Sequence, residues 1–169
     1  MNMGAGIELQ KAERGDAKRI FESWGYHEPN FRYLSAPPPR SIQDAQGYLD
    51  KIMENPKNPI FHIVEKAENI TVGLIKAKLE GHRALVGYVV NEPYWGRGIA
   101  TTALEAMIGE LRKNSMVRRI WATCATNNPA SITVLEKCEF VREGILRNWI
   151  VYPAQGDNPH DNYSYSLPT

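Results

Sequence analysis

The chain has 169 residues, enough for one domain with a single substantial core. Its 20 Lys and Arg against 19 Asp and Glu leave no charge excess, which argues against direct nucleic-acid binding or an anionic membrane as the main partner. No apolar stretch approaches the ~20 residues that span a bilayer, and the polar N-terminus has no signal-peptide core, so a soluble, cytoplasmic protein is expected.

In chain order, Ile7-Glu8-Leu9-Gln10-Lys11-Ala12 alternates like a half-buried strand, and Gly15-Asp16 offers an N-cap to a helix carrying Ile20, Phe21 and Trp24. Residues 26–40 contain Tyr26, Phe31 and Tyr33, then Ala36-Pro37-Pro38-Pro39, which cannot continue a helix and should run extended over the surface. That segment reads either as a substrate-facing loop or as a rigid connector. Ser41-Ile42-Gln43-Asp44 opens a second helix with Ala45, Tyr48, Leu49 and Ile52 on one face, and Asn55-Pro56 ends it. Residues 60–65 and 71–79 form strands around a turn at Ala67-Glu68-Asn69. A third strand ends at Val90, which predicts an antiparallel meander.

The third strand, Ala84-Leu85-Val86-Gly87-Tyr88-Val89-Val90, is apolar and short, as a buried strand requires. After Tyr94-Trp95-Gly96-Arg97-Gly98 the period changes. Ile99, Ala100, Ala103, Leu104, Met107, Ile108 and Leu111 recur at three- and four-residue steps, which predicts an amphipathic helix. Strand, glycine turn and helix in this order leave unpaired N–H groups at the positive end of the helix dipole, which makes an anion site. Gly96 and Gly98 let backbone approach a ligand, and Arg97 can add a charge-assisted contact to phosphate. An ordinary glycine turn before a core helix is the plain alternative. No Walker run is present. A dinucleotide fingerprint would need glycine where Thr101 stands and an acidic residue closing the next strand, where the chain reads Ile120-Trp121-Ala122-Thr123-Cys124.

Residues 117–126 hold another strand, and Asn127-Asn128-Pro129 starts a short helix with Pro at a tolerated position. A strand over 145–152, a loop over 153–160 and a last alternating strand over 162–167 complete the pattern. Cys124 and Cys138 lie in apolar-patterned elements, so buried free thiols are expected rather than a disulfide or metal ligands. His27, His62, His82 and His160 have no metal-site spacing, and no Gly-x-Ser-x-Gly elbow occurs.

With Gly98 and Ala100 at the small positions of Arg/Gln-x-x-Gly-x-Gly/Ala, the run Tyr94-Trp95-Gly96-Arg97-Gly98-Ile99-Ala100-Thr101 resembles the acyl-CoA loop of the GNAT acetyltransferases, most of all their RimJ/RimL branch. Trp95 stands where many members carry Arg or Gln, a departure usual in that branch. Asn128-Pro129-Ala130-Ser131-Ile132-Thr133-Val134-Leu135-Glu136-Lys137-Cys138-Glu139-Phe140 is similar to the second signature, Asn-x-x-Ser-x-x-x-x-Glu-Lys-x-Gly-Phe, with Glu139 replacing Gly. The resemblance implies an α/β (α+β) fold in a single domain over residues 1–169. Its central sheet would be mixed and largely antiparallel, splayed between the fourth and fifth strands and flanked by four or so helices. It also implies acetyl-CoA as cosubstrate. Trp95, Gly96, Arg97, Gly98, Ile99, Ala100 and Thr101 would hold the pyrophosphate, and pantetheine would lie along the backbone of Tyr88, Val89 and Val90 near Asn128 and Ser131.

Acetyl transfer to an amine needs a neutral nucleophile, a polarised thioester carbonyl and a proton for the departing thiolate. A backbone N–H near Val90 is the expected carbonyl donor. Many family members place an acidic tyrosine where this chain has Leu135. Ser131 stands where the branch has a serine able to reach the sulfur and is the catalytic candidate; the alternative is a first-turn serine bonded to local backbone. Asn128 can bond pantetheine, cap its helix, or both. The strand setting of Cys124 favours core packing over a nucleophilic role. Glu80, Glu92, His82 and Tyr88 are candidate bases, none singled out, and Glu92 beside Pro93 reads first as turn chemistry. The expected function is acetyl-CoA-dependent N-acetylation of a primary amine at a peptide or protein N-terminus, with acceptor walls at 36–40 and 153–160 and room for a homodimer. The alternatives are a polyamine or aminoglycoside N-acetyltransferase and a CoA-binding protein without catalysis.

Overall fold

A computed structural model describes residues 6–167. Strand β1 (Ile7–Lys11) leads into helix α1 (Ala17–Ile20), which widens into a π-helical turn at Phe21–Gly25 before a 3₁₀ turn at Glu28–Phe31. Helix α2 (Ile42–Ile52) starts where Ser41 Oγ accepts the Asp44 N–H at 3.1 Å, the cap expected there. Strands β2 (Ile60–Glu65), β3 (Ile70–Glu80) and β4 (Arg83–Val90) form the meander, its last turn made by Gly81 and His82. Helix α3 (Ile99–Arg112), strand β5 (Arg119–Ala125), helix α4 (Pro129–Lys137) and strands β6 (Val141–Val151) and β7 (Pro159–Leu167) follow. Among the described residues no helix is long and apolar enough to cross a membrane.

The strands lie in the order β1-β2-β3-β4-β5-β7-β6, antiparallel throughout except for the β4–β5 pair. That parallel pair is short: Arg83, Ala84 and Leu85 meet Arg119, Ile120 and Trp121, and no further pairing occurs. Beyond it β4 stays on β3 as far as Val90 and β5 stays on β7 as far as Ala125, so the two strands are held apart by different neighbours. This is the expected splay. The Asn91 N–H donates to the Val72 carbonyl at 2.7 Å, and antiparallel ladders alternate bonded and unbonded pairs. The amides of Tyr88 and Val90 therefore turn toward the opening, while that of Val89 turns to β3.

The centre of the sheet is buried on both faces. Ala84, Val86 and Val90 of β4 join Ile99, Leu104, Met107 and Leu111 of α3 and Leu135 of α4 in one core. Val89 points the other way, into a core with Trp24, Phe31 and Leu49. Gly73 faces Val90 across the ladder, and a Cβ there would stand 2.2 Å from the Val89 carbonyl oxygen, so only glycine permits the two strands to approach this closely.

Four local expectations change. Asp16 does not cap α1: its carboxylate accepts the Glu13 N–H at 2.8 Å and meets His62 Nε2 at 2.9 Å. The first helix loses α geometry after Ile20, and Phe21 and Trp24 lie in the π turn instead. Strand β6 starts at Val141 rather than 145, because its N-terminal half pairs with β7 although its side chains are exposed. Strand β7 starts at Pro159, which shortens the preceding loop. Glu139 takes the left-handed conformation, φ 65°, that a glycine would adopt after α4, and the Phe140 N–H still closes onto the Leu135 carbonyl at 3.1 Å.

Candidate active site

The loop between β4 and α3 has the form of an anion cradle. Gly96 and Gly98 have φ of 74° and 75°, and no atom lies within 4 Å of where a Cβ would stand on either, so the space in front of both is open. The first bond into α3 is Thr102 N–H to the Gly98 carbonyl at 3.0 Å. The N–H groups of Ile99, Ala100 and Thr101 precede it and have no acceptor in the helix. With the helix dipole behind them they suit a pyrophosphate. The Arg97 guanidinium sits 4.9 Å from the centroid of the Tyr94 ring, with no carboxylate partner among the described residues. Trp95 Nε1 donates to the Val90 carbonyl at 2.6 Å, tying the loop to the end of β4 and leaving the Val90 N–H to face the opening.

The opposite wall is α4. Asn128 Oδ1 accepts the Ser131 N–H at 3.2 Å, so the cap is in place. The Ser131 hydroxyl does not turn back onto local backbone. It lies 2.8 Å from the Tyr88 hydroxyl, which reaches across from β4. Burial pushes the Tyr88 phenol far above its ordinary range, and the Ser131 bond only partly offsets this. Tyr88 therefore stays protonated at neutral pH and cannot serve as a base there. Leu135, at the position of the usual family tyrosine, is buried in the core.

Of the other candidate bases, Glu80 and His82 lie at the hairpin end of β4, where Glu80 meets Lys78 and Arg83. Val90 lies seven residue steps beyond Arg83, about 23 Å of strand, so that end is remote from the opening. Glu92 is at the open end, and its carboxylate contacts His27 Nε2 at 2.6 Å. Cys124 is buried in the α3 core, and desolvation pushes its thiol up to about 11, which keeps it out of the thiolate form. Cys138 is buried too, and desolvation likewise raises it to about 11.

The two expected acceptor walls come together. A cleft of about 650 Å³ is lined by Pro37, Pro38 and Arg40 from the first wall, by Pro153, Ala154 and Gln155 from the second, and by Glu28, Pro29 and Arg32. Gln155 Nε2 donates to the Arg32 carbonyl at 2.6 Å, and the Tyr33 hydroxyl donates to the Asn127 carbonyl at 2.8 Å. Sequence reasoning missed the latch that fixes this region to β4: Asn30 Nδ2 donates to Asn91 Oδ1 at 2.9 Å, and the Glu92 N–H donates to Asn30 Oδ1 at 2.9 Å. Asn30 is buried, and no local pattern marks a partner 61 residues away.

A family model described as an acetyltransferase (GNAT) domain matches residues 7–141. An uncharacterised N-acetyltransferase of Bacillus licheniformis, p20, is 27% identical over 167 residues, covering 95% of this chain and 92% of its own. Two solved structures share the fold at 18% identity. One is RimL, a ribosomal L7/L12 alpha-N-protein acetyltransferase in complex with coenzyme A, with TM-score 0.84 and coverage of 99% of this chain and 96% of that one. The other is a spermidine N-acetyltransferase from Vibrio cholerae in complex with CoA and spermine, with TM-score 0.80 and coverage of 97% and 96%.

Proposed function

From the premise that the chain belongs to the GNAT acetyltransferase family and uses acetyl-CoA as cosubstrate, we propose that it acetylates the α-amine of a peptide or protein N-terminus by direct attack on the thioester, with residues 1–169 acting as one domain. Support comes above all from the splay: the Tyr88 and Val90 amides face a gap bordered by the glycine cradle on one side and Ser131 on the other. The backbone of Tyr88 and Val90 pairs with pantetheine as an added strand would, and Asn128 borders it. The cradle residues Trp95 to Thr101 hold the pyrophosphate. The Val90 N–H polarises the thioester carbonyl. Ser131 gives a proton to the sulfur, while the phenol of Tyr88 donates to Ser131 and so leaves the serine hydrogen free to point at the thiolate. Glu92, backed by His27, takes the proton of the amine.

The fold does not choose the acceptor, since proteins named for a ribosomal N-terminus and for spermidine share it. Proton chemistry favours the α-amine. It titrates near ~7.7–8.0 and lysine near ~10.4, so at neutral pH roughly a tenth of the first is neutral against less than about a thousandth of the second. The cleft carries Arg32 and Arg40 against the single carboxylate of Glu28, a positive excess that disfavours a polyamine or an aminoglycoside. The test is competition between two matched peptides, one with a free α-amine and blocked lysine, the other the reverse. Faster acetylation of the lysine peptide at neutral pH overturns the preference, and turnover of spermidine with neither peptide used supports the small-molecule reading.

We also propose a cytoplasmic homodimer. Cys124 and Cys138 are free thiols, as suits a reducing compartment. Val141, Ile145, Trp149 and Val151 are exposed along β6, the last strand of the sheet, and a second copy would cover them. Sedimentation equilibrium should show a dimer that Trp149→Glu dissociates; a monomeric wild type at tens of micromolar would refute it.

A further inference from the structure

Several arginines of this protein are satisfied by carboxylates: Arg14 by Asp50, Arg83 by Glu80, Arg142 by Glu136 and Arg147 by Asp161. Arg32 and Arg40 are different. Both are exposed, both line the same cleft, and among the described residues neither guanidinium has an acidic partner. Arg32 rests 5.5 Å from the centroid of the Tyr33 ring, and the bond made by Arg40 comes from its backbone N–H, to Asp44 Oδ2 at 2.9 Å. A third charged side chain, Glu28, lines the cleft and is likewise without a cationic partner among the described residues.

The surroundings make this more than a solvated surface. Pro29, Pro37, Pro38 and Pro153 form much of the cleft wall, and a proline offers no N–H, so the two guanidiniums are the positively charged groups that line it. The walls are also fixed in advance. Gln155 holds the Arg32 carbonyl, and Tyr33, which follows Arg32, holds the carbonyl of Asn127 beside the start of α4. On the other flank His27, which precedes Glu28, contacts Glu92 at the open end of β4. The chain neighbours of cleft-lining Arg32 and Glu28 thus make contacts just before α4 and just beyond the end of β4, the two elements whose ends flank the gap. Little ordering is needed when a ligand enters such a site.

We propose that this cleft binds the residues that follow the acceptor amine and selects peptides carrying carboxylate side chains there, with Arg32 and Arg40 as the specificity-determining pair. The proposal rests on the α-amine reading of the reaction. A guanidinium meets a carboxylate through two parallel N–H bonds, so the pair can read an acidic residue at the second or third position. Glu28 repels a carboxylate at its own end of the cleft, which directs the acidic side chains to the two arginines and orients the peptide with its amine toward the His27 flank.

The test uses the full chain with CoA bound and three N-acetylated peptides, identical except for Asp-Asp, Asn-Asn or Lys-Lys at positions two and three, with titration calorimetry as the readout. Binding of these products does not depend on turnover. The Asp-Asp peptide should bind about tenfold more tightly than the Asn-Asn peptide, with the gap shrinking as salt rises. The Arg32→Gln/Arg40→Gln variant should remove the gap while CoA affinity is unchanged, and Arg32→Glu/Arg40→Glu should turn the preference toward Lys-Lys. Equal binding of the three peptides, or a gap that survives both variants, overturns the proposal. Arginine-dependent binding of phosphoethanolamine without any of the acidic peptide also overturns it, in favour of a small phosphorylated acceptor. If the acidic peptide binds through the arginines and its unblocked form is never acetylated, the cleft assignment stands and the α-amine reading fails.

Discussion

The Tyr88 hydroxyl and Ser131 Oγ lie 2.8 Å apart, joining β4 to α4 across the gap where the sheet opens. A tyrosine thus reaches this serine from the sheet, whereas α4 carries buried Leu135 at the position where many relatives have one. Ser131→Ala should lower kcat by ~10²–10⁴-fold, the usual contribution of a positioned acid, and leave acetyl-CoA affinity nearly unchanged. Tyr88→Phe keeps the ring in the core and should cost a smaller factor, about tenfold, because Ser131 then only loses its orienting donor. Steady-state kinetics with cofactor calorimetry separates the cases. Unchanged turnover in both variants with a lower Tm would make the pair a structural clasp.

Gly98→Glu should abolish acetyl-CoA binding, because it places a negative charge where phosphate must sit. No atom lies within 4 Å of the added Cβ, so the variant should still fold, with a strain cost of about 1–2 kcal/mol from φ 75°. Gly98→Ala carries that strain without the charge and should retain most affinity. Wild-type affinity in folded Gly98→Glu would remove the cradle from the cofactor site.

What could be read from the chain alone follows how local each cause is. Ser41 and Asn128 announce their helices because a cap acts within three residues, and both caps are formed. Glycine at 96 and 98 is likewise a local backbone demand. The splay between β4 and β5 was available only through the family resemblance, since it arises from strands that take different partners far along the chain. Asp16 looks like a cap by position, yet buried His62, 46 residues away, holds its carboxylate. The cleft of Arg32 and Arg40 depends on Gln155, 123 residues beyond Arg32. Its prolines were readable, but which wall they would face was not.

Cys124→Ala should leave kcat within about twofold and cost about 1–2 kcal/mol through the cavity it opens in the α3 core. With burial holding the thiol at about 11, fewer than about one molecule in a thousand carries the thiolate at pH 7.5. Folded protein should therefore react slowly with iodoacetamide at that pH. A large loss of turnover in a stable variant would reinstate a nucleophilic role.

The last prediction concerns the Asp16–His62 pair that fastens the start of α1 to β2. His62 Nε2 lies 2.9 Å from Asp16 Oδ2, and its Nδ1 is buried without a partner. A neutral ring with hydrogen on Nε2 satisfies this arrangement, because Nε2–H donates to the carboxylate and Nδ1 remains a bare lone pair. Protonating Nδ1 would bury an unpaired N–H in a cation. Burial accordingly pushes the His62 pKa below its usual 6.5, Arg19 adds to the shift, and Asp16 opposes it. For Asp16 burial acts upward, but the Glu13 N–H and His62 outweigh it, and the carboxyl ends below its ordinary 3.8. The signs agree. As pH falls below about 6.5 the unfolded chain binds a proton at His62 that the folded protein refuses, so stability present at pH 7–8 is lost at up to about 1.4 kcal/mol per pH unit. The Asp16 contribution is lost later, below about pH 3.8. At this chain length each kcal/mol moves Tm by about 2–4 °C. Melting curves should therefore show wild-type Tm falling between pH 7 and 5, with a shallower fall in His62→Gln, whose side chain does not titrate. Identical slopes for the two proteins would mean that His62 takes up its proton alike in the folded and unfolded chain, a wild-type Tm that rises relative to His62→Gln on acidification would mean that it already carries the proton in the fold, and either result would require the neutral ring to be abandoned.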